Sequence, residues 1–152
     1  MYQPGTIFYF TPFYFSDGKT APKNKYFIVL CNGKDEMIVA SLPSSQDYVP
    51  AFAQKAHGCI DIPDGGFNCY YFSPEKAVTA DGWRFPMPTY MYANWIDTFN
   101  LTIFKNVYVV EGVDYEIIGR LTKYEFEEII KCFFSSSITK RKYKPFLQNV
   151  KY

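Results

Sequence analysis

His57 is the only histidine in a chain of 152 residues, and Gly58 and Cys59 follow it directly. An imidazole beside a thiol suggests two chemistries, metal ligation and activation of a cysteine nucleophile. Residues two apart on a strand face the same side, so contact between His57 and Cys59 is geometrically allowed. The spacing of His57, Cys59 and Cys69 matches no zinc pattern, however, and the thiols sit in apolar, strand-like text. Structural roles for the histidine and the cysteines outweigh ligation and nucleophilic attack. With a single histidine, a two-histidine acid and base pair for RNA cleavage requires a second copy of the chain.

Asp17-Gly18-Lys19 lacks the remaining glycines and the following Ser or Thr of a phosphate-binding loop, which argues against a nucleotide hydrolase. Lysines lie among aromatic residues at Lys25-Tyr26 and around Tyr143, Lys144 and Phe146. Such interleaving can stack bases and hold the phosphates of a single strand. With 14 Tyr and 15 Phe in the chain, core packing accounts for most of the rings. Lys140, Arg141, Lys142, Lys144 and Lys151 form the one basic cluster, read as a solvated tail over 135–152. Its Tyr143, Phe146, Val150 and Tyr152 argue for partial docking. The formal net charge of +1 supplies no global field towards nucleic acid or an anionic membrane.

These residues need a scaffold, and the composition favours a β-rich one. The chain is 48% hydrophobic and 20% aromatic, enough for a single domain over 1–152 whose rings pack across strands. Apolar runs bounded by turn residues predict strands at Gly5–Phe15, Tyr26–Cys31, Met37–Leu42, Gly58–Pro63, Phe67–Phe72 and Tyr115–Leu121. The first is expected to bend at Thr11-Pro12, and Asn32-Gly33 to turn the second into the third. Thr122-Lys123-Tyr124-Glu125 matches a capping box, and Phe126, Ile129, Ile130, Phe133 and Phe134 recur at helical spacing. A helix is therefore predicted from Thr122 to the serines at 135–137. Residues 73–107 are irregular and are expected to form an ordered insertion.

Cys31, Cys59, Cys69 and Cys132 could in principle form two disulfides. The first residues carry no secretory pattern, so reduced, buried thiols in a cytoplasmic protein are expected. No apolar stretch approaches the ~20 residues that span a bilayer, and no membrane association is expected.

The order of these pieces resembles the PemK/MazF toxin family. Gly5-Thr6-Ile7 to Phe15, Asp17-Gly18-Lys19 and Lys23-Asn24-Lys25-Tyr26-Phe27-Ile28-Val29-Leu30 match its opening strand, loop and second strand. Met37 to Leu42 with Pro43-Ser44-Ser45 resembles the family strand that ends in a proline and a hydroxyl residue. Ile118-Gly119-Arg120-Leu121-Thr122 and the following helix resemble its close. The resemblance implies a mainly β (α+β) fold, an SH3-like small β-barrel with a C-terminal α-helix. It also implies a metal-independent endoribonuclease or RNA-binding protein of a toxin-antitoxin system, which needs no cofactor. Implied partners are single-stranded RNA, an antitoxin-like peptide and a second copy in a homodimer. Lys25 stands where the family places a catalytic arginine, and Ser44 or Ser45 where it places a phosphate-contacting hydroxyl. Lys19, Lys23, Tyr26 and Gln46 would border the RNA groove. A lysine keeps the charge but loses the bidentate geometry of guanidinium. The alternative is a non-catalytic interaction module on the same barrel that binds a partner peptide or protein; a subunit of a larger complex is a third reading.

Overall fold

The computed structural model describes residues 2–152. It is mostly β, of the α+β class, with two antiparallel sheets and three α-helices. Strands β1 (Thr6–Phe13), β2 (Lys23–Asn32) and β3 (Met37–Ser41) form a meander. Next come β4 (Gly58–Ile62), β5 (Phe67–Phe72) and β6 (Thr89–Tyr92), then β7 (Asp97–Asn100), α1 (Leu101–Val107) and β8 (Tyr115–Arg120). Helices α2 (Lys123–Ser135) and α3 (Lys144–Asn149) end the order. The larger sheet runs β7-β3-β2-β1-β8 and the smaller one β4-β5-β6. They meet at Ser44, which exchanges both backbone hydrogen bonds with Tyr90 at 2.9 and 2.7 Å, but the sheets do not close into a barrel.

The larger sheet is buried on both faces, which is why β2 reads as an unbroken apolar run rather than an alternation. Ile7, Ile28, Leu30 and Val39 face the smaller sheet, α2 and α3, together with Tyr70, Phe72, Phe126, Ile129 and Phe133. Phe8, Phe10, Phe27, Val29, Ile38 and Ala40 face the other way, under Phe104 of α1, Tyr108 and Tyr115. That second face is rich in aromatic rings, with Phe10 and Tyr108 ring centroids 4.3 Å apart. The register between β1 and β2 slips between Phe10 and Phe13, opposite Lys25 and Lys23. The slip falls at the Thr11-Pro12 peptide, which is cis, and proline offers no N–H to the ladder there.

Several expectations are corrected. The stretch 73–107 lies inside both sheets, because it contributes β6 to one and β7 to the other, with α1 behind them. Its three prolines hide strands only four residues long. In the β2–β3 turn the left-handed residues are Asp35 and Glu36, not Asn32 and Gly33. The capping box is half formed: the Thr122 hydroxyl accepts from the Glu125 backbone N–H at 3.2 Å, but the Glu125 carboxylate turns inward instead of back to the cap. The expectation that all four cysteines are reduced also fails. Cys59 and Cys132 form a disulfide tying β4 to α2, while Cys31 and Cys69 are free and buried. The basic tail, by contrast, docks in part as its apolar residues argue, with Tyr143 and Leu147 in the core and Lys140, Arg141 and Lys142 exposed.

Candidate functional site

β2 enters the larger sheet from a polar loop, and its first residues project beyond the rim of the aromatic face. Lys23 is exposed and Lys25 half-buried on the same side of the strand as Phe27. Across the mouth, β3 ends and Leu42-Pro43-Ser44 crosses to the smaller sheet. The result is a cleft of about 270 Å³ lined by Phe15, Lys23, Lys25, Leu42, Ser44, Gln46 and Trp95. A second hollow of about 320 Å³ shares Phe15, Leu42 and Trp95 and continues down to Phe99, Phe104 and Tyr108. Lysine heads thus stand at one end of a continuous aromatic trough.

Burial, and secondarily the charge of Lys23, lowers the pKa of the Lys25 ammonium below its ordinary value. A partly desolvated cation of this kind attracts an anion more strongly than a fully hydrated one. Lys23 Nζ lies 5.7 Å from the Phe15 ring centroid. The Ser44 hydroxyl accepts the Gln46 backbone N–H at 3.1 Å, an ordinary turn contact that leaves its own proton available to a ligand. The Gln46 carbonyl accepts from the Tyr92 hydroxyl at 2.5 Å, fixing the loop. Trp95, 45% exposed, packs edge-on against Tyr92 with centroids 4.7 Å apart.

Four of the seven residues expected at the site, Lys23, Lys25, Ser44 and Gln46, therefore meet in one cleft. Three do not line it. Ser45 is exposed beside it. Lys19 sits in the exposed loop, where its backbone N–H donates to Asp17 at 2.9 Å. Bonds from the Thr20 hydroxyl and from the Thr20 and Lys19 backbones hold the Asp17 carboxyl at about 2. Tyr26 points to the opposite face of β2, against Tyr9 at 4.6 Å and Phe85 at 5.1 Å, as the alternation of a strand demands. Phe15, Leu42 and Trp95 were not anticipated. Phe15 could have been found from its place in the same loop; nothing local marks Trp95.

The histidine lies elsewhere, in a cluster between the smaller sheet and α2. Ser73 N–H donates to His57 Nδ1 at 3.0 Å, so the ring proton sits on Nε2, which faces Glu125 Oε1. Tyr70 donates its hydroxyl to the same oxygen at 2.9 Å. Burial works to raise the Glu125 pKa, but the hydrogen bonds with His57 and Tyr70 and the charges of His57 and Lys76 outweigh it and hold the carboxyl below its ordinary value. Burial, and then Glu125, raise the Tyr70 phenol. Both imidazole nitrogens are engaged inside the protein, so the ring is a structural clasp with none free for a substrate. Cys59, locked in its disulfide, is no nucleophile either.

No helix among the described residues is long and apolar enough to cross a membrane. No family model matches the chain, and no curated protein or solved structure matches it.

Proposed function

We propose that this protein binds single-stranded RNA across the Lys23–Lys25 cleft, as a divergent PemK/MazF-like protein built on an opened form of the small SH3-like barrel. One observation carries the reading: Lys23, Lys25, Ser44 and Gln46 converge beside Phe15, Leu42 and Trp95 in a single trough. Nucleic-acid strands need cations for phosphates and flat apolar surfaces for bases, side by side. Here the ammonium groups of Lys23 and Lys25 neutralise one phosphodiester, the Ser44 hydroxyl donates to it, and Trp95 and Phe15 take an adjoining base.

In the endoribonuclease form of this reading, Lys25 also stabilises the charge that builds on the phosphate during cleavage. An antitoxin-like peptide, a homodimer and a cytoplasmic setting belong to the same proposal. The non-catalytic form draws on Lys25 itself, since an ammonium lacks the two-point grip of guanidinium. Fluorescence anisotropy of a labelled mixed-sequence RNA, in chelator and at low salt, tests the common part, and electrophoresis of the same samples separates the two forms. Binding with shortened RNA supports the nuclease and binding with intact RNA the non-catalytic RNA-binding form; no anisotropy change rejects both forms and leaves the module that binds a partner peptide or protein.

A further inference from the structure

We propose that the cleft around the Cys59–Cys132 bond is a thiol-exchange site for small peptide thiols that carry both carboxylate and ammonium groups, the chemistry of glutathione. The disulfide lines a hollow of about 400 Å³ between β4 and α2, together with His57, Asp61, Lys76, Tyr124, Glu128 and Lys131. The site is independent of the lysine cleft and of the RNA reading.

The two sulfurs are unequal. Cys59 is exposed, whereas Cys132 is 4% exposed and sits under the helix. Attack by an incoming thiolate is directed by access to the sulfur, and here that sulfur is Cys59 Sγ. The attacking thiolate forms a bond to Cys59 Sγ while the Cys59–Cys132 bond breaks, and the electron pair leaves on Cys132 Sγ. That buried thiolate takes a proton from water, and the Asn68 side-chain carbonyl, 3.6 Å away, is placed to accept the resulting S–H. The Asn68 amide N–H lies 3.9 Å from Cys59 Sγ. A second thiolate then attacks the mixed disulfide, releases Cys59 as thiolate and leaves as the oxidised small thiol. Two small thiols are consumed for each protein disulfide reduced, and no other oxidant or reductant is needed. His57 is not the base for this step, because both its nitrogens are occupied.

The rim sets the class of thiol. Lys76 and Lys131 offer cations and Asp61 and Glu128 offer anions around the same hollow. A peptide thiol with two carboxylates and one ammonium can meet both signs, whereas a simple aminothiol can meet only the acidic pair.

The test uses the folded, oxidised full chain, treated separately with reduced glutathione and with cysteamine at matched thiolate concentration. Intact mass and peptide mapping follow the adducts with time. The mixed disulfide is expected on Cys59. Lys131→Glu and Lys76→Glu, both at exposed positions, are each expected to slow glutathione about three-fold, the scale of one exposed charge contact, and to speed cysteamine. An adduct on Cys132, or equal slowing of both thiols, overturns the proposal. So does exchange that proceeds only at the rate of global unfolding in urea, which would make the bond a buried staple.

Discussion

The Tyr70 hydroxyl donates to the Glu125 carboxylate at 2.9 Å, on the oxygen that also meets His57, so one buried acid joins β5, the entry to β4 and α2. The residue that fits the sequence pattern of a helix cap is instead the polar centre of a packing interface. Removing one partner of a buried charged cluster strands the others without compensation. Glu125→Ala is expected to lower unfolding free energy by about 3 kcal/mol, with Glu125→Gln losing less; urea denaturation curves measure both.

The same carboxyl sets an acid limit. Its folded pKa lies below the ordinary 4.5, so the unfolded chain binds the proton more readily as pH falls. The stabilisation is present above that ordinary value and is lost as pH drops through the folded one. Stability measured from pH 6 downward should fall less steeply in Glu125→Gln than in the parent chain.

At the alkaline end the sign reverses. Burial pushes the free thiols of Cys31 and Cys69 from 9.0 to about 12. The unfolded chain loses these protons first, so stability is complete below pH 9 and declines between 9 and about 12. The slope per thiol is about 1.4 kcal/mol per pH unit, and Cys31→Ala should remove one such contribution from the profile.

In the lysine cleft, Lys25→Ala should weaken RNA binding and reduce the slope of log affinity against log salt by about 1. Lys25→Arg should restore the slope. Trp95→Ala should cost about 1–3 kcal/mol of binding at every salt concentration if a base stacks there. Tyr26→Phe, on the far face of β2, should leave affinity unchanged. Anisotropy titrations over a salt series distinguish these outcomes.

The disulfide should matter for stability as well as for exchange. It spans a sequence separation of 73, and the chain-entropy account assigns a loop of that length about 4 kcal/mol. The Cys59→Ser, Cys132→Ser double variant should unfold at correspondingly lower urea, with native circular dichroism before the transition.

Strand positions were legible where apolar runs end at turn residues: β1, β2, β3, β4, β5 and β8 stand where those runs put them. The helix α2 was legible too, from Phe126, Ile129 and Phe133 at one spacing. The short β6 and β7 were not, because four residues carry no period that prolines nearby do not blur. Lys23, Lys25, Ser44 and Gln46 were legible as one site only through their order along the chain. Trp95 was hidden because its place beside them depends on β7 pairing with β3, a contact made across more than fifty residues of sequence. The Glu125 cluster and the Cys59–Cys132 pairing depend likewise on how α2 lies against β4, which no local pattern encodes.

The strand order β7-β3-β2-β1-β8 also has a consequence for synthesis. A ribosome delivers β1, β2 and β3 first, but both outer strands of that sheet come after residue 96, once the other sheet has been made. Until then the meander holds two unpaired edges, and Phe8, Phe10 and Phe27 lack the cover that Phe104, Tyr108 and Tyr115 later provide. Open edges beside bare aromatic surface are the usual starting points of misassembly. A nascent chain of this protein is therefore most open to misassembly between the emergence of Ser41 and that of Arg120, and slower elongation lengthens that window.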